Sequence, residues 1–160
     1  MTKAENDFEC CPPFHPSQWD GKTFEWENKK FIKDTVFTLF YMPVNFGAVM
    51  KRSGVAIEKS DSKVLDGMWL AEHTSMWNMN LYTAVDREVH DSKNITLSGE
   101  YVFKVYEGTF SEVGAWNKDF NHFVKNSGNI LLKTYQWYTT CPKCAKKYGK
   151  NYVVFVGQIQ

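Results

Sequence analysis

The stretch "GEYVFKVYEGTFSEVGAWNKDF", residues 99–120, decides the fold. Its first part, Glu100–Tyr106, is aromatic and β-branched and reads as a strand. Gly108 and Thr109 break it as a turn, and Ser111 stands where a helix N-cap would stand. Val113, Trp116, Phe120, Phe123 and Val124 then recur at the spacing of one helix face, and Gly128 supplies a stop. A strand and an amphipathic helix in succession must bury their apolar faces against further strands.

Those strands follow. Ile130–Thr140 (ILLKTYQWYTT) and Tyr152–Ile159 (YVVFVGQI) flank the loop CPKCAKKYGK. Upstream the same order precedes the stretch. Asp34–Met42 (DTVFTLFYM) reads as a strand apolar on both faces, ended by Pro43. Asn45 is a candidate N-cap, and Phe46, Val49, Met50 and Ile57 fall at helical spacing, although Gly47 and Gly54 weaken the helix. Gly67–Thr74 and Trp77–Val85 read as two strands. In the second of these, Trp77, Met79, Leu81, Thr83 and Val85 share one face, and Asn78, Asn80 and Tyr82 the other. Asp86–Gly99 reads as a polar connection.

The fold class expected is therefore α+β, a β-α-β-β unit present twice in pseudo-two-fold duplication, with repeats over residues 33–86 and 99–160. Sliding one half on the other by about 64 positions puts Phe46 on Phe110, Val49 on Val113 and Glu72 on Gln136. Residues 1–30 read as an arm packed on the body formed by 31–160. Pro12, Pro13 and Pro16 break regular pairing there, while Trp19, Phe24 and Trp26 can pin it.

Bulk composition narrows the function classes. A chain of 160 residues with 43% hydrophobic and 23% charged residues is one core-forming domain, neither disordered nor a coiled coil. A formal net charge of +1 gives no global reason to expect nucleic acid or a membrane surface as partner. The opening MTKAENDFECC has no apolar signal region, so the expected location is cytoplasmic, and the sequon Asn94-Ile95-Thr96 reads as chance. The first 30 residues are too short and too Pro-interrupted for a helix-turn-helix. The aromatic content, 16%, with 6 Trp and 8 Tyr, asks for places where a ring is buried and its polar tip is met, and binding pockets are such places.

From about Lys33 to Ile159 the chain resembles the GyrI-like family, the duplicated β-α-β-β fold shared with effector-binding domains of multidrug-responsive and AraC-type regulators. The resemblance rests on the stretch quoted first and on "QWYTTCP" followed by "NYVVFVGQI". It implies an antiparallel sheet with helices on one side and a groove on the other, in which members bind bulky, often cationic aromatic compounds. Some members instead hydrolyse strained electrophiles with pocket carboxylates. The arm's CCPP and the CPKC loop lie outside the common pattern.

Carried over by this resemblance, Tyr138 matches the pocket tyrosine, and Gln136 stands where the family has a glutamate. That departure removes a countercharge for a cation. The repeat register offers Glu72 in its place, and Glu107 at the strand–turn junction is a second carboxylate. Asn80 and Tyr82 would complete the polar lining. Gln136, Tyr138 and Thr140 alternate with Tyr135, Trp137 and Thr139, and the resemblance turns the first set to the groove; ordinary cross-strand packing is the competing reading. His73 falls opposite Glu72 and reads as a satisfied core or surface histidine.

Cys141-Pro-Lys-Cys144 has the shape of half a zinc knuckle, and Cys10 and Cys11 are the other thiols of the chain. A structural zinc clipping the arm to the loop is one reading, with His15 able to replace one ligand. A redox pair and free thiols are the others.

Three functions follow. The first is a binder of a small apolar or cationic aromatic molecule, anchored by Glu72, Tyr82, Glu107, Gln136, Tyr138 and Asn80. The second is a hydrolase of reactive xenobiotics in which Glu72 or Glu107 is the base and Tyr138 the donor. The third is an interaction module docking on a protein.

Overall fold

The computed structural model describes residues 14–139 and 151–160. The chain forms two compact units, one of Glu25–Gly99 and one joining the segment up to Phe24 with Glu100–Gln160. Cys10, Cys11, Cys141 and Cys144 lie outside the described residues, among which no group of three metal-ligating side chains gathers.

In the Glu25–Gly99 unit, β1 (Thr23–Leu39), β2 (Met42–Pro43), α1 (Phe46–Lys59), β3 (Val64–Ser75) and β4 (Asn78–Val85) follow one another. The strands pair antiparallel in the order β2-β1-β4-β3. Val49, Ser53 and Ile57 make the buried stripe of α1, and Ile57 packs with Ile32, Val85 and Val89 on one face of the strands. Asn45 does not cap α1 with its side chain. Its Oδ1 accepts from the Phe37 backbone N–H at 2.8 Å, which ties the helix start to β1.

The other unit repeats the order with β5 (Lys93–Glu107), α2 (Val113–Asn126), β6 (Leu131–Tyr138) and β7 (Tyr152–Ile159). Strand β7 lies between β6 and β5, antiparallel to both. Trp116, Phe120 and Val124 of α2 pack onto Val102, Val153, Phe155 and Ile159, and each such buried side chain contributes roughly 1.5–3 kcal/mol. Gly157 lets this contact close: a Cβ there would stand 2.7 Å from Leu131 Cδ1 and 2.9 Å from Phe120 Cζ. Gly128 ends α2 at φ +79°, as its sequence position implies. Ser111 is not the N-cap; a 3-10 turn over Phe110–Glu112 leads in, and Glu112 Oε2 accepts from the Thr109 N–H at 2.8 Å.

The α+β class and the doubled β-α-β-β order are as the sequence implies, and several boundaries differ. Residues 23–30 belong to β1, not to an arm, because the charged run Glu25–Lys30 pairs as strand while exposing most of its side chains. Among the described residues before Thr23, Trp19 stacks on Phe103 at 5.3 Å and meets Trp137 edge-on at 5.0 Å. Strand β5 starts at Lys93, inside the expected connection, where Asn94 bonds both the N–H and the C=O of Val89. Strand β1 stops at Leu39, and Phe40 and Tyr41 form a two-residue turn with φ of 50° and 69° before β2. No Asn-Gly announces that turn, so the aromatics read as strand.

The register between the halves also differs from the expected slide. Val49, Ser53 and Ile57 answer to Trp116, Phe120 and Val124, so Val49 does not answer to Val113. In the hairpins, Glu72 pairs with Asn80, the third residue of β4, while Val154, the third residue of β7, pairs with Trp137. Trp137, not Gln136, therefore holds the place of Glu72, and a one-residue slip reverses the face.

Candidate functional site

On the face of its unit's strands away from α1, Glu72 of β3 stands beside Asn80 and Tyr82 of β4. Directly paired residues of antiparallel strands project to the same face, so the Glu72–Asn80 pair and the Leu70–Tyr82 pair place all three side chains together. Tyr82 donates its hydroxyl to Glu72 Oε1 at 2.9 Å, and Asn80 donates Nδ2–H to the same oxygen at 3.2 Å. Asn78 Nδ2 donates to Asn80 Oδ1 at 3.3 Å and to Thr74 Oγ1 at 2.8 Å, extending the network toward the strand ends. Glu72 and Asn80 are 9% exposed and Tyr82 is 4% exposed. A carboxylate so placed needs charge-assisted hydrogen bonds, and these donors supply them.

Electrostatics follow from the packing. Burial first, and then the adjacent carboxylate, push the Tyr82 hydroxyl up to about 12. Lys33 of β1 lies opposite Tyr82 in the ladder and holds its ammonium 5.9 Å from the phenol ring centre. A hollow of about 280 Å³, lined by Lys30, Phe31, Glu88, Asn94, Ile95 and Thr96, opens at Phe31, further back along β1 from Tyr82's partner.

The other expected residues fall elsewhere. Gln136 and Tyr138 pair with Phe155 and Val153, which pack against α2, so both lie on the helix side of their strands and not on the open side. There Tyr138 donates to Gln136 Oε1 at 2.6 Å, and burial pushes its hydroxyl up to about 12. The open side of that unit carries Tyr135, Trp137 and Phe103, with Trp19, Phe24 and Phe14 packed over them. The polar anchors are thus not shared evenly between the halves, because aromatic rings fill the place that Glu72 holds in the first unit. Glu107 is exposed at the end of β5. His73 is not satisfied among the described residues: its Nδ1 is buried with no hydrogen-bond partner there, Tyr41 meets the ring edge-on at 5.8 Å, and burial lowers its pKa.

Sequence reasoning passed over Lys33 and Thr35, which the ladder sets opposite Tyr82 and Asn80. Their alternation with the buried Ile32 and Val36 along β1 is the available signal. It was hidden by reading the strand as apolar on both faces.

Similar structures share the fold. The C-terminal domain of EcmrR superposes with a TM-score of 0.65 at 8% identity, covering 87% of this chain and 96% of that one. An uncharacterized conserved protein from Listeria innocua gives 0.60 at 14% identity over 99% and 98%. A hydrolase from Listeria innocua gives 0.57 at 14% identity, again over 99% and 98%. These likenesses agree with the duplicated α+β fold read from the motifs. No curated protein matches the sequence. A family model described as bacterial hydrolase matches residues 1–159, and on that match the chain belongs to this family.

Proposed function

We propose that this chain binds a small, largely apolar molecule bearing a cation, and that the Glu72 carboxylate is the polar anchor. The observation that carries the reading is the buried Glu72 acceptor, oriented by Tyr82 and Asn80 on the strand face that α1 leaves uncovered. An anion fixed by its neighbours in low-dielectric surroundings attracts a cation far more strongly than a solvated glutamate does. The Lys33 ammonium over the Tyr82 ring is the kind of group this face accepts. The resemblance to GyrI-like domains, whose members bind bulky cationic aromatics, supports the reading. Gln136 and Tyr138, lying on the helix side, take no part in it.

Crystal violet and its neutral leuco form make a matched pair of probes. The wild-type chain binds the cation more tightly, and Glu72→Gln weakens that binding about tenfold while leaving the neutral form unchanged. Equal affinity of the wild type for the two forms refutes the reading.

Membership of a family described as bacterial hydrolase favours a second reading at the same cluster. Glu72 then orients or deprotonates a water attacking an electrophile, and Tyr82, in place of Tyr138, donates to the departing oxygen. Turnover of an epoxide such as styrene oxide, abolished in Glu72→Gln while binding is retained, separates hydrolysis from binding alone.

A further inference from the structure

The turn between β1 and β2 places Phe40 and Tyr41 at φ of 50° and 69°, a left-handed backbone that bulky side chains rarely adopt. Asn-Gly suits a two-residue turn of this hand, yet here the turn displays two aromatic rings to solvent. Phe40 is 66%, Met42 69% and Val44 61% exposed. The β3–β4 turn lies alongside: Met76 C=O accepts from the Tyr41 N–H at 3.0 Å, Trp77 C=O accepts from the Thr38 N–H at 2.9 Å, and Phe40 meets the Trp77 ring at 5.2 Å. Two adjacent turns thus form one apolar knob of Phe40, Tyr41, Met42, Val44, Met76 and Trp77. Side chains of this size, each roughly half exposed, present on the order of 500 Å² of apolar surface, near the upper end for a monomer.

We propose that this knob is an interfacial anchor that docks the protein on a lipid bilayer bearing anionic headgroups. Residues 35–50 and 74–85 contain no Asp, Glu, Lys or Arg, so nothing in the knob opposes burial among headgroups and acyl chains. The nearest charges on α1, whose start is tied to the knob through Asn45, are the cations Lys51 and Arg52, with Asp34 pairing only the latter. Phe, Met and Val at the tip with Trp and Tyr beside them, backed by the Lys51 cation while Asp34 pairs Arg52, is the composition of a surface that lies in a membrane interface. A second copy of the chain fits less well. The hollow of about 280 Å³ at Phe31 lies toward the opposite end of β1, rimmed by Lys30 and Glu88, and offers no apolar socket for the knob. No helix among the described residues is long and apolar enough to cross a membrane.

The test is flotation of the full chain with phosphatidylcholine vesicles, with and without phosphatidylglycerol. The wild type floats with the anionic vesicles and less with the neutral ones. Phe40→Asn combined with Tyr41→Gly supplies the residues that the turn geometry favours, so it keeps or raises the thermal midpoint while vesicle partition falls about tenfold. A fold-neutral double variant that still floats overturns the proposal, as does a wild type that never floats. Should the double variant fail to fold, Met42→Glu puts a charge at the tip without touching the turn backbone, and undiminished flotation of that variant is equally fatal. A concentration-dependent dimer that the same substitutions abolish, with no vesicle binding, identifies a second copy as the occupant and also overturns it.

Discussion

Replacing Tyr82 by Phe removes one oxygen from the middle of the proposed site and nothing else. The Glu72 carboxylate then keeps Asn80 Nδ2 as donor to Oε1 and loses the shorter of the two bonds, 2.9 Å against 3.2 Å. A hydrogen bond to a buried charged group contributes roughly 1.5–3 kcal/mol. The ionisation of Tyr82 sets a ceiling on the same quantity. Moving a hydroxyl from 10 up to about 12 corresponds to about 3 kcal/mol, and burial is a larger cause of that move than the carboxylate is. The bond's share is therefore about 1–1.5 kcal/mol, a fall in thermal midpoint of roughly 2–6 °C for a chain of this size. The pH dependence has a definite sign. A folded-state value above the unfolded one gives stability that is complete below about pH 10 and is lost as the pH rises to about 12. Urea unfolding of wild type and Tyr82→Phe at neutral pH and at high pH thus shows a difference that shrinks across that window. Introducing Glu72→Gln should reduce the effect of Tyr82→Phe by about 1 kcal/mol. A loss below about 0.5 kcal/mol at neutral pH, or an identical loss in the Glu72→Gln background, refutes the claim that this pair is a coupled, buried unit.

Gly157→Ala should destabilise the chain by about 1–3 kcal/mol, because the added methyl meets the Phe120 ring and Leu131 across a packed core; chemical denaturation measures it, and a neutral outcome would mean that α2 rides further from β7. Asp86, held down to about 2 chiefly by the Lys63 N–H and then by the Ser62 hydroxyl, contributes stability above the usual carboxylate value that disappears as the pH falls toward 2. Asp86→Asn should flatten the acid limb of the stability profile, and an unchanged limb assigns it to other carboxylates.

The resemblance was right about the fold and misplaced its tyrosine. Tyr138 was aligned to the open side by motif alone, yet its partner Val153 packs under α2. Motif position along a strand carries no face until the pairing register is known, and β3 and β6 carry bulges or irregularities at different points. A net charge of +1 likewise hid the local chemistry of an uncharged knob beside Lys51 and Arg52, because a sum over the chain erases its distribution.

What the sequence settled alone was local: which segments are strand or helix, their order, the stripe on α2 and the stop at Gly128, all set by periodicity and turn chemistry within a few residues. Glu72, Asn80 and Tyr82 were legible as candidates for the same reason, since alternation along β4 put the last two on one face. Their meeting at a single carboxylate oxygen depended on the antiparallel register of β3 with β4. So did the exchange of Trp137 for Glu72 in the other half, and the side-by-side placement of the turns that expose Phe40 and Trp77. Each is a contact between residues distant along the chain or on separate strands. Only the pairing of strands, decided by how their apolar faces are buried together, brings such residues within bonding distance.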